Sequence, residues 1–251
     1  MPPVAVNSNT PLPYSRAWTL HFDGSCAPNP GPMGIGYVLS DIESRVQVQV
    51  GAQIGQGTNN EAEYQALLAG LRHALRLGIL DLKVRSDSML VVRQVQGEWK
   101  AKDTRIKRLV GEAQALLKLF NSWAIEHVYR EQNAGADVLS RSQVFEEPIL
   151  IPPSSGERFQ PSLHPWQAAM VRVWWLSGRS RNSYLLGRIY GVAATVIEQI
   201  GQGKSYRSAD FSAMPEYNVW ELGRGVAFQE ALHRTGERHA ETFRRLAEED
   251  Q

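Results

Sequence analysis

The sequence holds a single cysteine, Cys26, among 251 residues, which excludes a disulfide framework and any zinc site built from several thiolates. It has no charge excess. Lys and Arg number 27 against 26 Asp and Glu, a formal net charge of +1, so a nucleic-acid-binding surface has to be local. No apolar run approaches the roughly 18 residues of a membrane span. The opening MPPVAVNSNTPLP has neither a basic flank nor an apolar stretch, so no secretory signal is expected and the expected location is cytoplasmic. There is no internal repeat and no low-complexity tract. What remains is an ordinary globular mixture, 43% hydrophobic and 21% charged, long enough for one large domain or two small ones.

Proline punctuates the chain. Pro2, Pro3, Pro11 and Pro13 mark residues 1–15 as a flexible leader. Five of the 13 prolines, Pro148, Pro152, Pro153, Pro161 and Pro165, fall in one window and mark a linker over 147–165. Between them, residues 16–146 alternate strand-like and helix-like segments. Strands are expected over 17–23, 34–39 and 45–53, the last with strict alternation in VQVQV, followed by a helix over 60–77. In that helix Ala62, Ala66, Leu67, Gly70, Leu71, Ala74 and Leu75 recur at helical spacing, with Asn59 or Asn60 as its cap and Gly78 as its stop. A strand over 80–86, helices over 88–95 and 103–123, a strand over 124–129 and a helix over 134–144 complete the order βββαβααβα. This is an α/β fold, a five-stranded mixed sheet with flanking helices. Residues 166–251 contain no clear strand. Helices expected over 166–175, 183–202 and 217–249 make them a small all-α accessory domain.

Four carboxylates stand out by position. Asp23 (HFDGS) and Asp87 (KVRSDS) follow strands, Glu63 (TNNEAEY) lies near the start of a helix, and Asp137 (NAGADVLS) opens the last helix. Taken alone, an Asp after a strand is ordinarily a turn or cap residue. Glu61 rivals Glu63, and spacing does not choose between them. Together, however, two strand ends and two helix starts can converge. Two carboxylates about 4 Å apart repel by about 4 kcal/mol at an effective dielectric near 20, so four imply bound divalent cations. Oxygen-only ligands favour Mg²⁺ or Mn²⁺.

The segments FDGSCAPNPGPMGIGYVL, TNNEAEYQALLAGL, SDSMLVVRQVQGEWKAKD and REQNAGADVLSR resemble, in order and spacing, the ribonuclease H type 1 family, over roughly residues 16–145. The resemblance implies that family's fold and two-cation hydrolysis of the RNA strand of an RNA/DNA hybrid, giving 5′-phosphate and 3′-hydroxyl ends. It implies Asp23, Glu63, Asp87 and Asp137 as catalytic residues holding two Mg²⁺ or Mn²⁺ ions, and it leaves Glu61 exposed. It implies hybrid contacts through Gly24, Ser25, Cys26, Asn29, Thr58, Asn59, Asn60 and Ser88, with Cys26 a packing or backbone-contact residue rather than a nucleophile. Turn formation and helix capping remain compatible with Asn29, Asn59 and Asn60 in that role.

Three departures accompany the resemblance. Met89 stands where many bacterial members carry Gln. Only GEWKAKDTRIKR, with Lys100, Lys102, Arg105, Lys107 and Arg108, occupies the place of a basic handle. The loop YREQNAGAD lacks the His found before the last carboxylate in many members, with Arg130 or Glu131 as substitutes. The pattern is similar to the handle-less bacterial, archaeal and plant-like branch. In the second half, Arg172, Arg179, Arg181 and Arg188 interleave with Trp166, Trp174, Trp175 and Tyr184, which suits phosphate gripping and base stacking or, equally, a helical core with solvated arginines. The expected partner is the hybrid duplex, with a further nucleic-acid or protein contact through this half and no membrane. The alternatives are a catalytically silent hybrid-binding adaptor, against which the intact carboxylate set argues, and a DNA-strand nuclease on a related fold.

Overall fold

The computed structural model describes residues 17–41, 43–44, 46–142, 163 and 165–205. The chain divides into two compact units, 1–151 and 152–251. The leader, and the linker as far as residue 162, lie outside the described residues, as does the helix expected over 217–249.

In the first unit, β1 (Trp18–Cys26), β2 (Gly31–Ser40) and β3 (Val46–Gly57) form the expected antiparallel meander. Helix α1 (Asn59–Arg76) leads to β4 (Asp81–Ser86), which pairs parallel to β1. Then come α2 (Met89–Val95), α3 (Thr104–Leu117) and β5 (Ser122–His127), which pairs parallel to β4. A 3-10 turn at Arg130–Gln132 and α4 (Ala134–Ser140) complete the unit. The strand order is β3-β2-β1-β4-β5, the mixed sheet expected from the sequence.

Several boundaries differ from expectation for local reasons. The expected cap of α1 was Asn59 or Asn60; the residue that caps it is Thr58. Its side chain accepts from Glu61 N while the Glu61 carboxylate accepts from Thr58 N at 2.9 Å. This reciprocal box satisfies two donors at the helix start. Glu61 is therefore not exposed. Its side chain is 13% accessible, and it also pairs with Arg105 at 3.1 Å. Helix α3 ends six residues before Trp123, which with Ser122 belongs to β5, where Trp123 lies opposite Leu82.

Side chains alternate across a strand, and this sorts the helices. Leu20, Phe22 and Cys26 of β1 are buried on the face that α1 covers, and all seven of the periodic positions named in that helix are buried. Each fully buried Leu or Phe contributes about 2 kcal/mol. The intervening positions, Asp23 and Ser25, point to the opposite face, where α4 lies. Two glycines set how closely these helices approach. A Cβ on Gly24 would fall 2.1 Å from Glu63 N, and one on Gly36 would fall 2.3 Å from Ser140 N, so α1 and α4 each rest on bare backbone.

The second unit contains α5 (Pro165–Leu176), α6 (Ser183–Tyr190) and α7 (Ala194–Gly201). The single helix expected over 183–202 is two helices. Gly191 takes φ +69, a left-handed cap that ends α6, and the chain restarts at Ala194. Trp166, Met170, Trp174, Leu186, Ile189, Tyr190, Ile197 and Ile200 form the core, with the Trp174 and Tyr190 rings stacked. No helix among the described residues is long and apolar enough to cross a membrane.

Candidate active site

Four carboxylates reach one cleft from four elements. Pairing between β1 and β4 stops at His21 and Arg85, so the two strands part where Asp23 continues β1 and Asp87 follows β4. Such a divergence at the carboxyl ends of parallel strands leaves a crevice open to ligands. Glu63 enters from the second turn of α1, brought close by Gly24, and Asp137 enters from α4. All four line a cavity of about 620 Å³, together with Gly24, Ser25, Cys26 and Asn59. Gln53, Arg130 and Arg141, which the sequence reading had not assigned to a site or had left as substitutes, line it too.

Each carboxylate is held differently. Asp23 Oδ2 accepts from the Ser140 hydroxyl at 2.8 Å. Burial raises its pKa, the Ser140 bond lowers it, and the charges of Asp87 and Asp137 raise it further, with a net shift upward. Burial lifts Glu63 to about 7, opposed by a hydrogen bond from Ser88 and reinforced by Asp23 and Asp87. Glu63 Oε2 is buried and, among the described residues, has no hydrogen-bond partner. Asp87 Oδ1 accepts from Asn133 Nδ2 at 2.7 Å. Asp137 Oδ1 accepts from Arg130 Nη2 at 2.9 Å and Arg141 Nη2 at 2.6 Å.

The chemistry of this donor set fits divalent cations. It is all oxygen, half-buried, mutually repulsive, and includes a buried acceptor with nothing to accept from. Among the described residues, no three His, Cys, Asp or Glu side chains already converge at ligand distances. The bonds to Ser140, Asn133 and the two arginines hold three of the four carboxylates toward protein donors.

The remaining expected contact residues divide. Asn29, Thr58 and Asn60 line a neighbouring groove of about 410 Å³ with Glu61, Asp103 and Arg105. Asn29 Oδ1 accepts from Asn59 N at 3.2 Å, so Asn29 braces the start of α1. Ser88 lines neither cavity; it caps α2, and its hydroxyl lowers the pKa of Glu63. Cys26 packs with Met33 and Ala62, and its thiol reaches Pro28 O and Gly57 O, both at 3.2 Å, which matches the packing role expected of it. Met89 is exposed, and so are Lys100, Lys102, Arg105, Lys107 and Arg108. His127 Nε2 meets Asp87 O at 3.2 Å.

Two further residues escaped the sequence reading. Asn133 is 1% exposed and spends its two amide protons on Phe22 O at 2.9 Å and on Asp87. Ser140 bonds Asp23 across 117 residues. The available signal was a polar residue three positions after Asp137, one turn along the same helix face.

In the second unit the structure divides the basic and aromatic series between core and surface. Trp166 and Trp174 are core residues, and the Trp175 ring packs where a Gly201 side chain would be. Arg172 is half-buried and donates to Ile200 O and Ser205 O, closing the end of α7. What stays outside on α6 is Tyr184, 78% exposed, with Arg188 one turn further on; Arg181, just before the helix, is also exposed and donates to Trp175 O.

A five-stranded mixed sheet carrying this acidic cleft defines a protein of the ribonuclease H-like class. The family profile described as reverse transcriptase-like matches residues 21–143. The ribonuclease HI of Halobacterium salinarum is 41% identical over 120 residues, 48% of this chain and 60% of that relative. The ribonuclease H of a Sulfurovum species is 31% identical over 135 residues, 50% of this chain and 88% of that relative. The crystal structure of RNase H1 from Halobacterium salinarum superposes with a TM-score of 0.49 at 39% identity, over 50% of this chain and 95% of that one. The chain belongs to the ribonuclease H family.

Proposed function

We propose that this protein hydrolyses the RNA strand of RNA/DNA hybrids with Mg²⁺ or Mn²⁺, leaving 5′-phosphate and 3′-hydroxyl ends. The observation that carries the proposal is the convergence of Asp23, Glu63, Asp87 and Asp137 from four elements on one cleft, with the Glu63 Oε2 buried and unpartnered among the described residues. These four would hold two cations, whose chemistry when bound is to activate water and stabilise the leaving oxygen.

The chain's own residues do the rest. Asn133 fixes the Asp87 carboxylate, and the Ser88 hydroxyl favours the charged form of Glu63. Arg130 and Arg141 balance charge on the Asp137 side and can engage a scissile phosphate, a part the loop without His would otherwise lack. Gly24, Ser25, Cys26 and Asn59 line the same cleft, where backbone and short polar groups can read the 2′-hydroxyl from a minor groove. Asn29, Thr58 and Asn60, with the exposed Arg105, suit a phosphate of the opposite strand in the neighbouring groove. The stripe of Arg181, Tyr184 and Arg188 gives the second unit a surface for a further nucleic-acid contact.

The test is hydrolysis of labelled RNA/DNA, RNA/RNA and DNA/DNA duplexes by the full chain with either cation, beside Asp87→Asn. Cleavage confined to the hybrid's RNA strand, lost by at least about a thousandfold in Asp87→Asn, supports the proposal. Tight hybrid binding without cleavage by the unaltered chain makes it an adaptor instead. Tyr184→Ala with Arg188→Ala should weaken hybrid binding and flatten its salt dependence. Unchanged binding removes the second unit from the interface.

A further inference from the structure

Ser140 is fully buried in the last turn of α4, three residues after Asp137. Its hydroxyl has one proton and two acceptors within reach, Asp23 Oδ2 at 2.8 Å and Asp137 O at 2.9 Å. The carbonyl three residues back is the usual outlet for a helical serine, so α4 does not need Asp23 to satisfy this group. The charged carboxylate is the stronger acceptor. From the other side, the Ser25 hydroxyl donates to Ser140 O at 2.6 Å. Strand β1 therefore grips Ser140 twice, once at its side chain through Asp23 and once at its backbone through Ser25. The close approach of Gly36 to Ser140 N leaves the helix turn little room to shift.

We propose that Ser140 is a positioning residue for the cation centre. It fixes the orientation of the Asp23 carboxylate and ties it to the helix that carries Asp137. Oδ2 accepts from Ser140 while Asp23 lines the cleft. Ligating carboxylates are commonly held by a second hydrogen bond of this kind. The inference rests on the cation-centre reading above, and Ser25 supplies its control. Ser25→Ala loosens the same helix turn without removing the bond to the carboxylate.

The experiment is calorimetric titration of Mn²⁺ into the full chain without nucleic acid, for the unaltered protein, Ser140→Ala, Ser140→Cys and Ser25→Ala, with thermal melting of each. Ser140→Ala should weaken Mn²⁺ binding about tenfold. Ser140→Cys, a near-isosteric weak donor, should fall between it and the unaltered protein, and Ser25→Ala should bind Mn²⁺ within about twofold of the unaltered protein. In hydrolysis, Ser140→Ala should lose kcat at low Mn²⁺, recover it at high Mn²⁺, and keep its KM for the hybrid. A fold defect would not be rescued by cation. Unchanged Mn²⁺ affinity in Ser140→Ala, or an equal loss in Ser25→Ala, overturns the proposal while leaving the cation centre standing. An unaltered protein that binds no Mn²⁺ takes down both.

Discussion

The sheet unit and the helical unit differ in how far their polar contacts reach. In the sheet unit, Ser140 meets Asp23 across 117 residues, Asn133 meets Phe22 O across 111, and Gly24 seats Glu63 against β1. In the helical unit, Asn182 caps its own helix three residues on, Ser183 reaches Glu198 over 15, and Arg172 reaches Ile200 O over 28. The charges differ too. The cleft gathers four carboxylates, whereas the described residues of the helical unit hold one acid, Glu198, against Arg172, Arg179, Arg181, Arg188 and Lys204. Repelling groups stay together only where several distant elements pin each one. A stripe on a single helix presents groups without converging them. That is the physical ground for the proposal that the first unit does the chemistry and the second adds grip.

The sharpest way to break this comparison is to substitute one close-packed glycine in each unit. A methyl at Gly24 meets Glu63 N at 2.1 Å and Ala62 C at 2.2 Å, both backbone atoms of a buried helix. Relief requires moving α1 off the sheet. Gly24→Ala should cost about 3 kcal/mol or more and abolish hydrolysis. A methyl at Gly201 meets the Trp175 ring at 2.3 Å, a partly exposed side chain that can turn away. Gly201→Ala should cost no more than about half as much and spare the cleft. Urea titration of both variants measures this, and equal losses would erase the distinction between backbone-limited and side-chain-limited packing.

Acid should also separate the units. His73 is 3% exposed, its Nδ1 lies 2.9 Å from the Tyr37 hydroxyl, and burial first, then the charge of Arg76, lowers its pKa from 6.5 to about 4. An unfolded chain binds this proton below about 6.5 and the folded chain only near 4. The contribution of His73 to stability is therefore full above 6.5 and falls as pH drops through that window, by roughly 3 kcal/mol at most. The described residues of the helical unit contain no histidine. The raised Glu63 acts in the opposite sense in both proteins, adding stability as pH falls through about 7. Melting followed between pH 7 and 4 should therefore show the unaltered protein losing more, or gaining less, than His73→Gln, which keeps a polar partner for Tyr37 without the titration. The same slope in both proteins would assign the acid sensitivity elsewhere.

The legible part of the fold was the part written locally. Alternation in VQVQV marks a strand, the periodic apolar residues mark α1, and the order of elements follows from them. The four carboxylates stood out because each lies at or near an expected element boundary, although β1 runs on past Asp23 to Cys26. Boundaries decided by competition were harder. Thr58, Asn59 and Asn60 are all competent caps, and the choice falls to Thr58 because Glu61 closes the box. Gly191 breaks a segment whose apolar pattern runs on through it. Asn133 and Ser140 left almost no local trace, since their partners lie far off in sequence, Asp87 46 residues before Asn133 and Phe22 and Asp23 more than a hundred before each. A site assembled by distant contacts shows its charges in sequence and conceals the groups that hold them.

The smallest expected effect tests whether that distinction extends to helix ends. Thr58 and Asn182 do the same local job, each offering a side-chain oxygen to a backbone N–H three residues on, at 3.3 and 3.0 Å. Loss of either oxygen should cost about 1 kcal/mol, so Thr58→Ala and Asn182→Ala should lower stability alike. Their functional consequences should part. Asn182 caps α6, whereas Thr58 also lines the groove beside the acidic cleft, with Asn29 and Arg105, that is proposed to take a phosphate. KM for the hybrid should therefore rise a few-fold in Thr58→Ala and stay within about twofold in Asn182→Ala, about 1 kcal/mol being worth roughly fivefold. An equal rise in both would mean that the stripe on α6 is as close to the substrate path as the groove, and the division of labour between the two units would have to be redrawn.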